Sequence, residues 1–122
     1  VSFYDHSYNA SPHSLNKQIL IFNKRNIKQK VYILGAMKEL GVQTDFFHLQ
    51  IIELVNKLNL NKILFIGEEF YKFKKNFRNF NFYMNYIPVL NYLNKEIDTI
   101  TNIFVMGSRY NKLDKIIKKY AS

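Results

Sequence analysis

Four short polar clusters carry the residues of this chain that could do chemistry, and each follows an apolar run. They are Asp5-His6-Ser7-Tyr8-Asn9-Ala10-Ser11-Pro12, Gly35-Ala36-Met37-Lys38-Glu39-Leu40-Gly41, Gly67-Glu68-Glu69 and Gly107-Ser108-Arg109. The last has the makings of an anion site. Gly107 allows close backbone approach, and Ser108 and Arg109 can hold a carboxylate or phosphate, arginine through two parallel N–H bonds. The plainer alternative is a tight turn at Gly107 with Arg109 solvated. Other chemistries are excluded by missing motifs. No Gly-rich loop ends in Gly-Lys-Ser/Thr, so no triphosphate cradle is encoded. Neither a Gly-x-Gly-x-x-Gly fingerprint nor a Gly-x-Ser-x-Gly elbow occurs. His6, His13 and His48 do not pair at helical spacing or meet a carboxylate cluster, so no metal site is expected. The absence of cysteine removes disulfides, thiolate catalysis and zinc–cysteine sites. These loops predict binding, with no catalytic residue in this segment.

Strands and helices in alternation must position the clusters. Ser2–Asp5 reads as a short strand. Ser11 then caps a helix that opens with Pro12, where a missing N–H costs nothing, and Leu15, Ile19 and Phe22 share one face of it. Lys30–Leu34 is a second strand, ended by Gly35. A loop through Gly41 leads to Thr44 as N-cap of a helix over Asp45–Leu58, with Phe47, Ile51, Leu54, Val55 and Leu58 spaced by threes and fours. Lys62–Ile66 is nearly all apolar, as a strand buried on both faces should be. A helix over Glu68–Phe77, a weaker strand at Asn81–Met84 and a helix from Pro88 to about Leu93 follow. Asn102–Met106 is the last strand, and a final helix runs from Asn111 to Tyr120. This alternation predicts a Rossmann-like three-layer α/β domain: a mostly parallel sheet of about five or six strands with helices on both faces. Ligands of such sheets bind beyond the carboxyl ends of the strands, where all four clusters fall.

The 122 residues suit one domain spanning 1–122. No apolar run approaches the roughly 20 residues that cross a bilayer. Val1-Ser2-Phe3 has neither initiator Met nor signal pattern, and reads as a boundary within a longer protein. The net charge of +9 raises nucleic acid as a partner, as does the alternation of basic and aromatic residues over Tyr71–Arg78. At helical spacing, though, Phe70, Phe73 and Phe77 form an apolar stripe with the lysines beside it. A solvated basic face is therefore preferred to a nucleic-acid site.

Three of the clusters together resemble a known family. Tyr4-Asp5-His6-Ser7-Tyr8-Asn9-Ala10-Ser11-Pro12-His13-Ser14 looks like Ile-Asp-Asp-Ser-Tyr-Asn-Ala-Asn-Pro-x-Ser. Ile33-Leu34-Gly35-Ala36-Met37-Lys38-Glu39-Leu40-Gly41 looks like Val-Leu-Gly-Asp-Met-x-Glu-Leu-Gly, and Val105-Met106-Gly107-Ser108-Arg109 looks like Val-Lys-Gly-Ser-Arg. In order and position these resemble the C-terminal domain of the Mur ligases, and within them the branch that adds D-alanyl-D-alanine. The resemblance implies an ATP-dependent amide-bond ligase of peptidoglycan synthesis, cytoplasmic and monomeric. It joins D-Ala-D-Ala to UDP-N-acetylmuramoyl-tripeptide through an acyl phosphate. ATP and Mg2+ are then held mainly by a central domain absent from this chain, as is the N-terminal domain.

Carried onto this sequence, the resemblance assigns Tyr8, Asn9 and Ser11 to one wall of the dipeptide site and Gly35, Ala36 and Met37 to another. Gly107, Ser108 and Arg109 anchor the dipeptide carboxylate. Asp5 and His6 face the nucleotide, and His48 is a further candidate, either for ligand contact or as a packed, capping histidine. Departures are His6 for Asp, Ser11 for Asn, Ala36 for Asp and Met106 for Lys. Ala36 has no group to accept from an ammonium, so any amine recognition by that Asp must be done elsewhere or lost. The alternatives are a diverged domain of this family and a non-catalytic basic module that binds nucleic acid.

Overall fold

The computed structural model describes residues 2–6, 11–60, 62–96 and 102–120. Five strands form one sheet: β1 (Ser2–His6), β2 (Lys30–Gly35), β3 (Ile63–Ile66), β4 (Asn81–Tyr83) and β5 (Asn102–Met106). Every pairing is parallel and the order is β1-β5-β2-β3-β4. Helices α1 (Pro12–Lys24), α2 (Thr44–Lys57), α3 (Glu68–Tyr71), α4 (Ile87–Glu96) and α5 (Leu113–Tyr120) alternate with them.

Alternating side chains along each strand build two cores. On one face, Leu15, Ile19 and Phe22 of α1, Ile51 and Val55 of α2 and Phe70 of α3 pack on Tyr32, Leu34, Phe65 and Phe104. On the other, Val89 and Leu93 of α4 with Leu113 and Ile116 of α5 cover Val31, Ile33, Leu64, Ile103 and Val105. The expected three-layer fold is thus present, with central strands β2, β3 and β5 apolar but for Lys30 and Asn102 at their starts, because both faces are covered. The chain moves outward from β2 to β4 on the α2–α3 face, then returns through α4 on the other face to insert β5 between β1 and β2. Loops after β2 and β5 therefore leave toward opposite faces, which opens the sheet's crevice between them.

Three element ends differ from the sequence reading. Thr44 is not an N-cap. One 3-10 turn (Gly41–Gln43) precedes α2, Thr44 is its first residue, and the Thr44 hydroxyl donates to the Gly41 carbonyl at 2.7 Å. The helix expected over Glu68–Phe77 stops at Tyr71 and gives way to tight turns, with Phe73 N–H bonded to Phe70 O and Asn76 N–H to Phe73 O. Bonds across three residues bring side chains three apart into line, so Phe73 packs beside buried Phe70, and Phe77 still reaches the same core. The last helix begins at Leu113, because Asn111 sits in a 3-10 turn (Arg109–Asn111) with its side chain turned inward.

Candidate ligand-binding rim

Backbone meets backbone where β2 and β5 end. Gly107 has φ 146°, and a Cβ there would stand 2.5 Å from Gly35 Cα and 2.6 Å from Gly35 N and O. A Cβ on Gly35 would lie 2.8 Å from Asn111 Nδ2, and one on Gly67 (φ 119°) 2.6 Å from Ala36 Cβ. At Gly107 the neighbours are main-chain atoms of Gly35, so the ends of β2 and β5 close to a distance only glycine permits there.

Asn111 ties the parted loops together. It is 9% exposed, and its Nδ2 donates to Ala36 O at 2.8 Å and Ser108 O at 3.0 Å. Ser108 N–H also reaches Ala36 O at 3.3 Å, and Ala36 N–H donates to Ile66 O at 2.8 Å. His48 holds the next residue. Its Nε2 accepts the Met37 N–H at 2.9 Å, while Nδ1–H donates to Thr44 O at 2.7 Å. That network fixes the neutral Nδ1–H tautomer. Burial pushes the imidazole below the usual histidine value, against smaller opposing effects of the Thr44 carbonyl, Glu69 and Asp45. Phe70 packs on the ring edge-on at 4.6 Å.

The structure gathers some of the sequence-predicted residues and separates others. Gly35, Ala36, Met37, Gly107 and Ser108 meet at the β2–β5 crevice. Ala36 and Met37 point inward and are fully buried, so they offer a ligand no side chain. Ser108 Oγ accepts from Tyr110 N–H at 3.2 Å, and Arg109 lies in the turn between β5 and α5. Asp5 and His6 end β1, in register with Val105 and Met106, and the His6 ring lies 5.6 Å from that of Phe104. Ser11 caps α1, its hydroxyl accepting Ser14 N–H at 3.1 Å. Tyr8 and Asn9 lie outside the described residues. His48 is completely buried with both ring nitrogens engaged, in keeping with a packed histidine.

A cleft of about 390 Å³ opens beside this crevice, lined by Lys38, Gly67, Glu68, Met84, Tyr86 and Tyr110, among others. At its edge the Lys38 ammonium lies 2.5 Å from Glu69 Oε2 and 4.1 Å above the Tyr110 ring. Sequence reasoning quoted Lys38 and Glu69 within their clusters but gave them no role, and it placed Asn111 at a helix start. The available signal for the first two was opposite charge at two strand ends that the parallel sheet makes neighbours. Among the described residues no group of three or more His, Asp or Glu could hold a metal ion.

No family model matches the chain. It is 29% identical over 118 residues to the UDP-N-acetylmuramoyl-tripeptide--D-alanyl-D-alanine ligase of Borreliella burgdorferi, covering 91% of this chain and 25% of that protein. The ligase of the same name from Buchnera aphidicola is 30% identical over 117 residues, covering 93% and 25%. The chain is a homologue of the Mur ligases. It spans about a quarter of the length of the curated Mur ligases it matches. Solved structures agree in fold: MurF from Acinetobacter baumannii superposes with a TM-score of 0.80 at 23% identity, over 96% of this chain and 26% of that one. MurF from Thermotoga maritima, in complex with ADP, gives 0.77 at 21% identity over 97% and 27%. The five-stranded parallel sheet is that of the MurF C-terminal domain.

Proposed function

We propose that residues 1–122 are the C-terminal domain of an ATP-dependent ligase that joins D-Ala-D-Ala to UDP-N-acetylmuramoyl-tripeptide, a cytoplasmic step of peptidoglycan synthesis. One observation carries this reading: ligases with that name match the chain almost from end to end, and two of the three resembling motifs fall on the glycine-closed ends of β2 and β5. The acyl phosphate forms on the tripeptide carboxylate, the dipeptide amine attacks it, and phosphate leaves. ATP and Mg2+ belong to the central domain of the longer protein. The sequence carries no triphosphate loop, and this domain's part is positioning. It holds the amine near the acyl phosphate and keeps water away.

Within that role the Gly107–Ser108–Arg109 turn anchors the dipeptide carboxylate, and Gly35–Met37, buried with the Ala36 and Met37 backbone bonds spent inside the domain, back the opposite wall from beneath. Tyr8, Asn9 and Ser11 complete the wall, and Asp5 and His6 face the nucleotide. The protein works as a monomer. The test is phosphate release by the longer protein containing this chain, given ATP, the tripeptide precursor and D-Ala-D-Ala. Turnover should require all three, and omission of the dipeptide should abolish it. Absence of turnover with all three present would overturn the reading. The 122-residue chain alone should hydrolyse no ATP, and hydrolysis by it would contradict the division of labour.

A further inference from the structure

The Lys38 ammonium is held the way a ligand's amine would be. Glu69 Oε2 lies 2.5 Å from it on one side and the Tyr110 ring 4.1 Å away on another. A carboxylate and an aromatic face are the pairing by which proteins recognise ammonium groups. Further details separate this from an ordinary surface ion pair. The Glu69 side chain is only 13% exposed, and its other oxygen, Oε1, is buried with no hydrogen-bond partner among the described residues. A carboxylate oxygen in that condition is costly unless a donor arrives. Lys38 and Tyr110 also line the 390 Å³ cleft, so the ammonium faces space of small-molecule size.

The position of Glu69 answers the loss at residue 36. A Cβ built on Gly67 would stand 2.6 Å from Ala36 Cβ and 3.4 Å from Glu69 Oε1. The Glu69 carboxylate thus lies near the place where the resemblance puts an Asp and this chain has Ala36. Lys38 is 28% exposed at its side chain, and its four-carbon stem can carry the charge out to solvent.

We propose that Glu69 and Tyr110 form the subsite for the dipeptide's amino group, and that Lys38 fills it until the dipeptide displaces it. The proposal rests on the ligase reading for the dipeptide's identity. Its energetic signature is a tax on affinity, since only the fraction of molecules with Lys38 swung out can bind.

Steady-state kinetics of the longer protein test it, with ATP and tripeptide precursor saturating. Lys38→Met should lower the D-Ala-D-Ala KM about fivefold by removing the competitor. Glu69→Gln should raise it about tenfold or more, and neither should move the KM for ATP. If Lys38 were only a structural clamp, Lys38→Met would raise the dipeptide KM and lower the melting temperature. A raised or unchanged KM in Lys38→Met, or an unchanged one in Glu69→Gln, overturns the proposal. Should the wild type show no ligation, the ligase reading fails separately. The subsite is then read by titrating methylammonium and following the Tyr110 ring resonances. These should shift in Lys38→Met and stay still in the Lys38→Met/Glu69→Gln pair. No shift in Lys38→Met would overturn it.

Discussion

At the scale of single residues, His48 holds the rim from within, both ring nitrogens bonded to backbone. Replacing it with alanine leaves the Met37 N–H without its partner and opens a hole under Phe70. A cost of about 2–4 kcal/mol in urea unfolding is expected. The pH dependence has a definite sign. Burial lowers the folded imidazole's pKa, so below about pH 6.5 the unfolded chain binds a proton that the folded one refuses. His48 therefore destabilises progressively as pH falls from about 6.5 toward its folded pKa, and contributes fully above that window. His48→Gln should flatten the stability profile below about pH 6.5. An unchanged profile would remove His48 as the titrating group. This residue was half legible in the sequence, which left it between ligand contact and packing. That both nitrogens would be spent on backbone needed the loop's path, which the type and spacing of residues do not encode.

At the scale of elements, the junction of β2 and β5 is the least tolerant place in the molecule. Gly107→Ala would combine a backbone conformation that side chains rarely adopt with a Cβ 2.5 Å from Gly35. It should lower unfolding free energy by several kcal/mol or prevent folding. Gly41→Ala is the control: its φ of 60° meets open space, and about 1 kcal/mol should be lost from backbone strain alone. Equal losses in denaturant melts of the two variants would refute the close-contact account. Strand existence was readable because β2, β3 and β5 are continuous apolar runs, and their glycine ends were readable too. The end of α3 was not. Phe70, Phe73 and Phe77 fit a helix as well as they fit tight turns, and only packing against Phe65 and its neighbours chooses between them.

At the scale of the whole molecule, the charge of +9 and the aromatic stretch after α3 raise the rival role in nucleic-acid binding. The structure weighs against it by using the rings. Phe70 is fully buried, Phe73 and Phe77 pack on the core, and the Lys74 ammonium lies 4.3 Å from the Tyr71 ring. Bases would find little to stack on, which leaves unspecific charge attraction. Single-stranded DNA or RNA should be retained only at low salt and released by about 0.2 M. Tight retention at that salt would restore the nucleic-acid reading. Fold class was legible at this scale from alternation alone. Strand order was not, because an apolar run announces a strand without naming its neighbours, and the insertion of β5 between β1 and β2 is decided by the return path through α4.

The closure of the rim by Gly35, Gly67, Gly107 and the amide of Asn111 also bears on how such a surface can change over generations. Its shape is set by contacts between main-chain atoms, which every residue possesses, and by one side chain set back from the opening. Positions 36 and 106 are packed against it, so a change there must fit the core but need not supply the geometry.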